Sequence, residues 1–524
     1  MNPEHTPEPA SAEPQPGEPI GYRRTGVVVG PEQLAGQAAG LLGEGYRVAL
    51  VAGHDDGPAG GLRAVYLFTA PGPDRRVELS VHLDRDRPLV PSLAGVSFTA
   101  GRFEREMRDL YGIVPDGHPL PRRMVLHAHW PKGWYPMRSD SGDPSEFPVV
   151  ADPYPFRTVE GPGVYEIPVG PVHAGMIEPG HFRFSVVGET VLNLKARLWF
   201  VHRGIEKLFE GLPPHDGVEL AERVSGDTAV GHTIAYCTAV EDALGMPVRT
   251  EDRLLRALLL ELERIHNHVA DLGALCNDVG YAILNAHAQR LRERLLRLND
   301  RLTGHRLLRG GVHPGGAMVR ELPDVDELAA IGEDAAEIAG LALGQSIVVD
   351  RFTGTAVLTN EQARDLGTLG YVARASGLDV DARHGHPVPG VVLPRTQHAH
   401  TGGDVLARFS VRAEEVAASV QFAIESVRAL DGHLGAPGRP LPAAVLVPSG
   451  TRSGVGIVEG WRGTIVHRVE IAPDDGGART SRVKIVDPSF MNWPALPVAM
   501  ADTIVPDFPL ANKSFNLSYA GNDL

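Results

Sequence analysis

Residues Thr250–Leu275 read TEDRLLRALLLELERIHNHVADLGAL. Leu254, Leu255, Leu258, Leu259, Leu262, Ile265, Val269 and Leu272 recur at spacings of three and four, which lays a wide apolar face along one helix. Thr250 is suited to the N-cap, with Glu251 and Asp252 against the positive end of the helix dipole. Helical patterns of similar length recur over Leu284–Leu302, Asp324–Ala342 and Val411–Leu430, so the region beyond Gly170 is predicted to be mainly helical. Strand-like segments flank it at Phe182–Val187, Val445–Val447, Gly456–Val458 and Val466–Ile471.

Upstream the character differs. From about residue 25 to 100 one helical stretch, Pro31–Leu42, precedes strand-like runs near Val48–Val51, Ala64–Phe68 and Val77–His82, separated by Gly, Pro and Asp turns. The predicted fold class is therefore α+β. The predicted organisation is a disordered Pro- and Glu-rich tail over 1–19, a mixed α+β domain over 20–128, an extended arm over 129–165, and a mainly helical domain over 166–524. In the arm, Trp130, Trp134 and Tyr135 are read as anchors.

Composition narrows the function. The 524 residues hold 50 Lys and Arg against 65 Asp and Glu, a formal charge of −15, with no basic block of the kind that neutralises phosphates, so nucleic acid is not an expected partner. Only Cys237 and Cys276 are present, which excludes a disulfide framework and any four-thiolate site supplied by this chain. Both lie in helical, apolar contexts and are read as buried fillers. There is no Walker-type loop, no Gly-x-Gly-x-x-Gly after a strand and no His-Glu-x-x-His. Direct nicotinamide binding by this chain is accordingly not supported, and the His127/His129 and His384/His386 pairs are weak zinc signals. No apolar run reaches the roughly 18 residues of a membrane span. The expected location is the cytoplasmic side of a membrane, reached through partners.

Polar clusters occur where a plain core would not require them: GPVHAGMIEPGHFRF at Gly170–Phe184, FVHRGIEKL at Phe200–Leu208, and ERVSGDTAVGH at Glu222–His232. With LLELERIHNHVADLG, DRFTGTA at Asp350–Ala356, RASGLDVDARHGHP at Arg374–Pro387, VEGWRG at Val458–Gly463 and DPSFMNWPAL at Asp487–Leu496, these resemble, in order, the large subunit of membrane-bound nickel-iron hydrogenases of the formate hydrogenlyase type. They are also similar to the homologous quinone-side subunit of respiratory complex I. EREMRDLYGIVPDGHPLPRR at Glu104–Arg123 resembles the smaller peripheral complex I subunit, which these hydrogenase subunits carry as a fused N-terminal domain.

The departures are as informative. The resemblance implies nickel held by two Cys-x-x-Cys pairs, the first within Arg-x-Cys-Gly-x-Cys-x-x-x-His. Here that segment runs from Arg223 to His232 with Ser225 and Thr228 in the cysteine positions, and Ser518 and Gly521 stand for the second pair. A hydroxyl or a glycine cannot replace a soft thiolate, so no metal is expected. The complex I tyrosine that meets the quinone headgroup corresponds to Gly226. By resemblance, Glu178 falls where hydrogenases relay protons, His181 matches approximately a quinone-side histidine, and Arg462 falls in the segment whose Arg overhangs the metal. Asp379, Asp381, Arg383 and His386 add a charged cluster. It reads either as an ion-pair lattice that knits helices together or as a proton path.

The expected catalytic set is therefore Glu178, His181, His232, Asp379, Arg383 and Arg462, beside the ligand positions Ser225, Thr228 and Ser518. A hydrated pocket flanked by these groups is expected, with no cofactor bound by this chain, quinone as an acceptor, and iron–sulfur clusters in a partner. The implied function is a peripheral subunit of a membrane-bound hydrogenase-like or NADH–quinone oxidoreductase-like complex, NAD entering only through the family. It passes electrons from an iron–sulfur small subunit to quinone or a similar acceptor, beside integral membrane ion-translocating subunits. The alternative is an inactive scaffold that couples those subunits.

Overall fold

The computed structural model describes residues 17–524 except 73, 145, 148–153, 175–176, 395, 397–399, 439–449 and 475–476. The chain forms two compact units, residues 1–149 and 150–524. The α+β class is as expected.

In the first unit a five-stranded sheet runs in the order Glu18–Gly21, Arg24–Val28, Arg75–Leu83, Leu62–Ala70, Arg47–Asp55. Arg24–Val28 pairs parallel with Arg75–Leu83 and the other neighbours are antiparallel. Chain order thus begins earlier than the composition suggests: Glu18 and Pro19, read as tail, belong to an exposed strand whose backbone pairs with Thr25 and Gly26. Ladder hydrogen bonds can order an edge strand that buries almost nothing. The helix Phe98–Tyr111, capped by Ser97 and ended by left-handed Gly112, packs on Arg47–Asp55, where a Cβ on Gly53 would lie 2.5 Å from the Tyr111 ring. Its acids are structural. Glu104 accepts from Ser92 Oγ and the Leu93 amide, and Asp109 from the amides of Met124, Val125 and Leu126. In the arm Trp130 stacks on Trp134 at 5.2 Å.

The second unit opens with an antiparallel sheet of Val164–Val169, His181–Val187 and Thr190–Arg197. The helix Thr250–Asp278 is its axis, flanked by Ala282–Thr303 and Val405–Leu430, and its leucines enter one large apolar core. Arg249, not Thr250, occupies the cap, so the start rests on the acidic first turn and on burial, not on a capping hydroxyl. Val405–Leu430 begins six residues before the apolar pattern does, because Asp404 accepts from the Ala407 amide and fixes the first turn there.

An antiparallel sheet of Arg452–Gly460, Gly463–Asp474 and Gly477–Val486 closes the core. It lies against the helix Ala229–Leu244 at backbone contact: a Cβ on Gly454 or Gly456 would come within 2.0 or 1.9 Å of the Ala239 and Ala235 carbonyl oxygens. That contact fixes the helix that carries His232. The predicted Val445–Val447 strand lies outside the described residues. Among the described residues no helix is long and apolar enough to cross a membrane.

Candidate functional site

The turn before the helix Ala229–Leu244 carries Ser225, Gly226, Asp227 and Thr228. The segment 508–523 returns beside it from the far end of the sequence and brings Lys513, Asn516 and Ser518. Between them lies a cavity of about 650 Å³. Its polar wall is Glu178, Ser225, Asp227, Asp278, Arg462, Asn512, Lys513, Asn516, Ser518 and Tyr519, and its apolar wall includes Ile177, Pro509 and Leu517.

Asp227 organises the inner end. Arg462 meets both of its carboxylate oxygens at 2.6 Å, a bidentate pair. Ser225 Oγ and Thr228 Oγ1 each donate to Oδ1 at 3.0 Å. Since the Ser225 hydrogen is thus committed, its 2.8 Å contact with Ser518 Oγ is donated by Ser518, which in turn accepts from the Gly521 amide at 2.9 Å. Thr228 Oγ1 accepts from Trp461 Nε1 and Arg462 Nη1. Burial raises the Asp227 carboxyl, but the Arg462 charge and these hydrogen bonds outweigh it and hold the group far below the usual carboxylate range. Arg462 also donates Nε to the Asn516 carbonyl at 2.6 Å, which commits four of its five N–H groups.

Three further groups complete the wall. Asp278 is exposed at the cavity rim, where partial desolvation raises its carboxyl against the opposing pull of Lys513. Lys513 reaches Asp271 and Asn516, each at 3.4 Å. Glu178 Oε2 accepts the Ala520 amide at 3.0 Å, which ties the hairpin loop to the C-terminal segment.

Of the expected residues, Glu178, Ser225, Arg462 and Ser518 meet at the cavity, and Thr228 supports them from its edge. Four do not line it. His232 is fully buried behind the turn, its Nε2 on Asp487 Oδ2 and its Nδ1 on His467 Nε2, both at 3.0 Å. Both ring nitrogens are committed, so it has none to offer a ligand. His181 starts a strand, holds the Gly170 carbonyl through Nδ1 at 3.2 Å and packs against the Phe156 ring at 5.4 Å with the planes tilted by 46°. Asp379 is exposed on a loop outside the cavity.

Arg383 lies in a separate buried lattice. Its Nη2 meets Asp381 at 2.6 Å, Arg374 joins Glu415 at 2.6 Å and Glu459 at 2.8 Å, and His268 meets Glu415 at 2.8 Å. Arg264 pairs with Glu261 at 3.0 Å. These charges cross-link the helices Thr250–Asp278 and Val405–Leu430 to the strand Arg452–Gly460. The acids of three buried elements draw Arg383 inward, which is why it leaves the cavity wall.

The reading of the sequence missed Asp227, Asp278 and Lys513. Asp227 sits between the two substituted ligand positions, where its charge was the available signal, but its partner lies 235 residues away. Among the described residues no three His, Cys, Asp or Glu side chains are placed to hold a metal. Nor does the donor set suit a thiolate-bound nickel: three hydroxyls are hydrogen-bonded toward one carboxylate, and a side chain on Gly521 would meet Asp487 at 2.5 Å. Cys237 and Cys276 are buried and free, and burial pushes both thiols up, Cys276 to about 12.

Comparison with known proteins follows this geometry. Residues 27–145 match the family described as "Respiratory-chain NADH dehydrogenase, 30 Kd subunit", residues 203–277 "Nickel-dependent hydrogenase", and residues 278–437 "Respiratory-chain NADH dehydrogenase, 49 Kd subunit". The chain is 32% identical to formate hydrogenlyase subunit 5 of Escherichia coli (strain K12), over 92% of this chain and 85% of that protein. It is 30% identical to hydrogenase-4 component G of the same organism, over 90% and 82%. It is 29% identical to the C/D subunit of the NADH-quinone oxidoreductase of Phocaeicola vulgatus, over 72% and 77%. A solved chain of the membrane-bound sulfane sulfur reductase, an archaeal respiratory membrane complex, shares the fold with a TM-score of 0.61 at 24% identity, covering 69% of this chain and 99% of that one.

An oxidoreductase subunit in which a complex I 30 kDa-type domain is fused to a hydrogenase and 49 kDa-type domain is thus defined. The chain belongs to the family of formate hydrogenlyase-type hydrogenase large subunits and NADH–quinone oxidoreductase C/D subunits, and it lacks the cysteines that hold nickel.

Proposed function

We infer that this chain is a peripheral subunit of a membrane-associated oxidoreductase complex, in which electrons from a partner's iron–sulfur cluster reach quinone or a similar acceptor at the nickel-free cavity. The observation that carries this reading is the cavity itself: the ligand positions are rebuilt with small residues, so about 650 Å³ stays open beside them. The relatives' names, formate hydrogenlyase, hydrogenase-4 and NADH-quinone oxidoreductase, support membership of such a complex. In this reading the partners are an iron–sulfur small subunit and integral membrane ion-translocating subunits, met on the cytoplasmic side.

The chain's own residues fit two-electron, two-proton reduction of a carbonyl acceptor. The uncommitted N–H of Arg462 and the Lys513 ammonium are donors for the acceptor oxygens. Asp278 and Glu178 are the carboxyl groups of the cavity wall at hand for proton transfer. His181 and His232 lie outside the lining of this cavity and are not assigned a role in it.

The test is quinol formation by the intact complex, with assembly verified by co-purification. Asp278→Asn and Glu178→Gln are each expected to lower turnover by about tenfold or more, the low end of a positioned proton donor's contribution. Unchanged turnover in both variants would refute the cavity as the reduction site and favour the scaffold.

A further inference from the structure

We propose that the Asp227–Arg462 pair, with the hydroxyls of Ser225, Thr228 and Ser518, is a built carboxylate–guanidinium centre that takes the place of a metal centre, so that the site is complete without a metal. The inference stands whether or not the cavity reduces quinone.

The donor directions support replacement over simple decay. If the ligand positions had only drifted after a metal was lost, their hydroxyls would have no common target. Instead the substituted positions converge: Ser225 and Thr228 donate directly to Asp227 Oδ1, and Ser518 reaches it through Ser225. The negative charge, which thiolates would supply to a metal, is gathered on Asp227, and the positive charge is supplied by Arg462 at two contacts of 2.6 Å. Arg462 is itself held from the opposite side by the Asn516 carbonyl. The fourth position, Gly521, has no room for a ligand atom, because the Asp487 carboxylate, held by His232, fills the space. A guanidinium paired in this fork geometry selects a planar carboxylate. Removing the Asp227 side chain therefore leaves a receptor for a small external carboxylate.

The experiment uses the full chain expressed with nickel supplied, and Asp227→Gly with sodium formate as probe against sodium chloride at equal ionic strength. Wild type is expected to hold far less than one nickel per chain and to keep its Tm in EDTA. Asp227→Gly is expected to melt lower by about 3–8 °C, with half or more of the loss restored by formate and none by chloride. Stoichiometric nickel, a Tm lowered by EDTA, a variant as stable as wild type, or a variant indifferent to formate would each overturn the proposal. Should Asp227→Gly fail to fold, Asp227→Gly/Arg462→Met, which removes both charges, is expected to fold. Failure of that double variant as well would also overturn it.

Discussion

Restoring one atom at Gly521 tests how tightly the site is built. A Cβ there would lie 2.5 Å from Asp487 Cγ and Oδ2 and 2.8 Å from Oδ1, so in Gly521→Ala the carboxylate must retreat by roughly 1 Å to reach ordinary van der Waals contact. It has nowhere to go without loss. Asp487 is fully buried and accepts from His232 Nε2 at 3.0 Å and from the Ser489 amide at 2.7 Å. Losing one hydrogen bond to a charged group costs about 1.5–3 kcal/mol, and overpacking adds about 1–3 kcal/mol. The better helix propensity of alanine offsets up to about 1 kcal/mol. The net expectation is a destabilisation of about 2–5 kcal/mol, read as a lower Tm and urea midpoint for the full chain. Gly226→Ala is the control: Gly226 also lines the cavity, yet an added Cβ meets nothing within 4 Å, so it should stay within about 0.5 kcal/mol of wild type. Equal stability of the two variants would refute the reasoning.

Two further outcomes are expected. Glu263 is buried against the amides of Val230 and Gly231, and burial raises its carboxyl from 4.5 to about 8. Because the folded state then holds a proton that the unfolded chain releases, stability should fall as pH rises from about 4.5 to about 8, and Glu263→Gln should flatten that part of the urea-midpoint profile. A wild-type profile level across that window would contradict it. Cys237 and Cys276 should resist a disulfide-exchange reagent at neutral pH and give two thiols per chain in denaturant, and rapid native labelling of either would contradict their burial.

Periodicity in the sequence determined that the long helices exist, because a face of Leu254, Leu258, Ile265 and Val269 has few ways to be buried other than against neighbours in a bundle. Motif order placed the chain in its family, and the substitutions at 225, 228, 518 and 521 settled which ligand chemistry is absent, since that depends on atom type alone. Which charges face the cavity was decided only in three dimensions. Asp227 and Arg462 are 235 residues apart, and Asp278 and Lys513 come from different helices, so no local pattern brings them together. His232 and Arg383 are equally polar in sequence, yet both turn inward, because a buried carboxylate or lattice of acids stabilises them more than the open wall would. Side-chain partners are chosen by distance in the folded state, and the sequence order of the residues does not contain that distance.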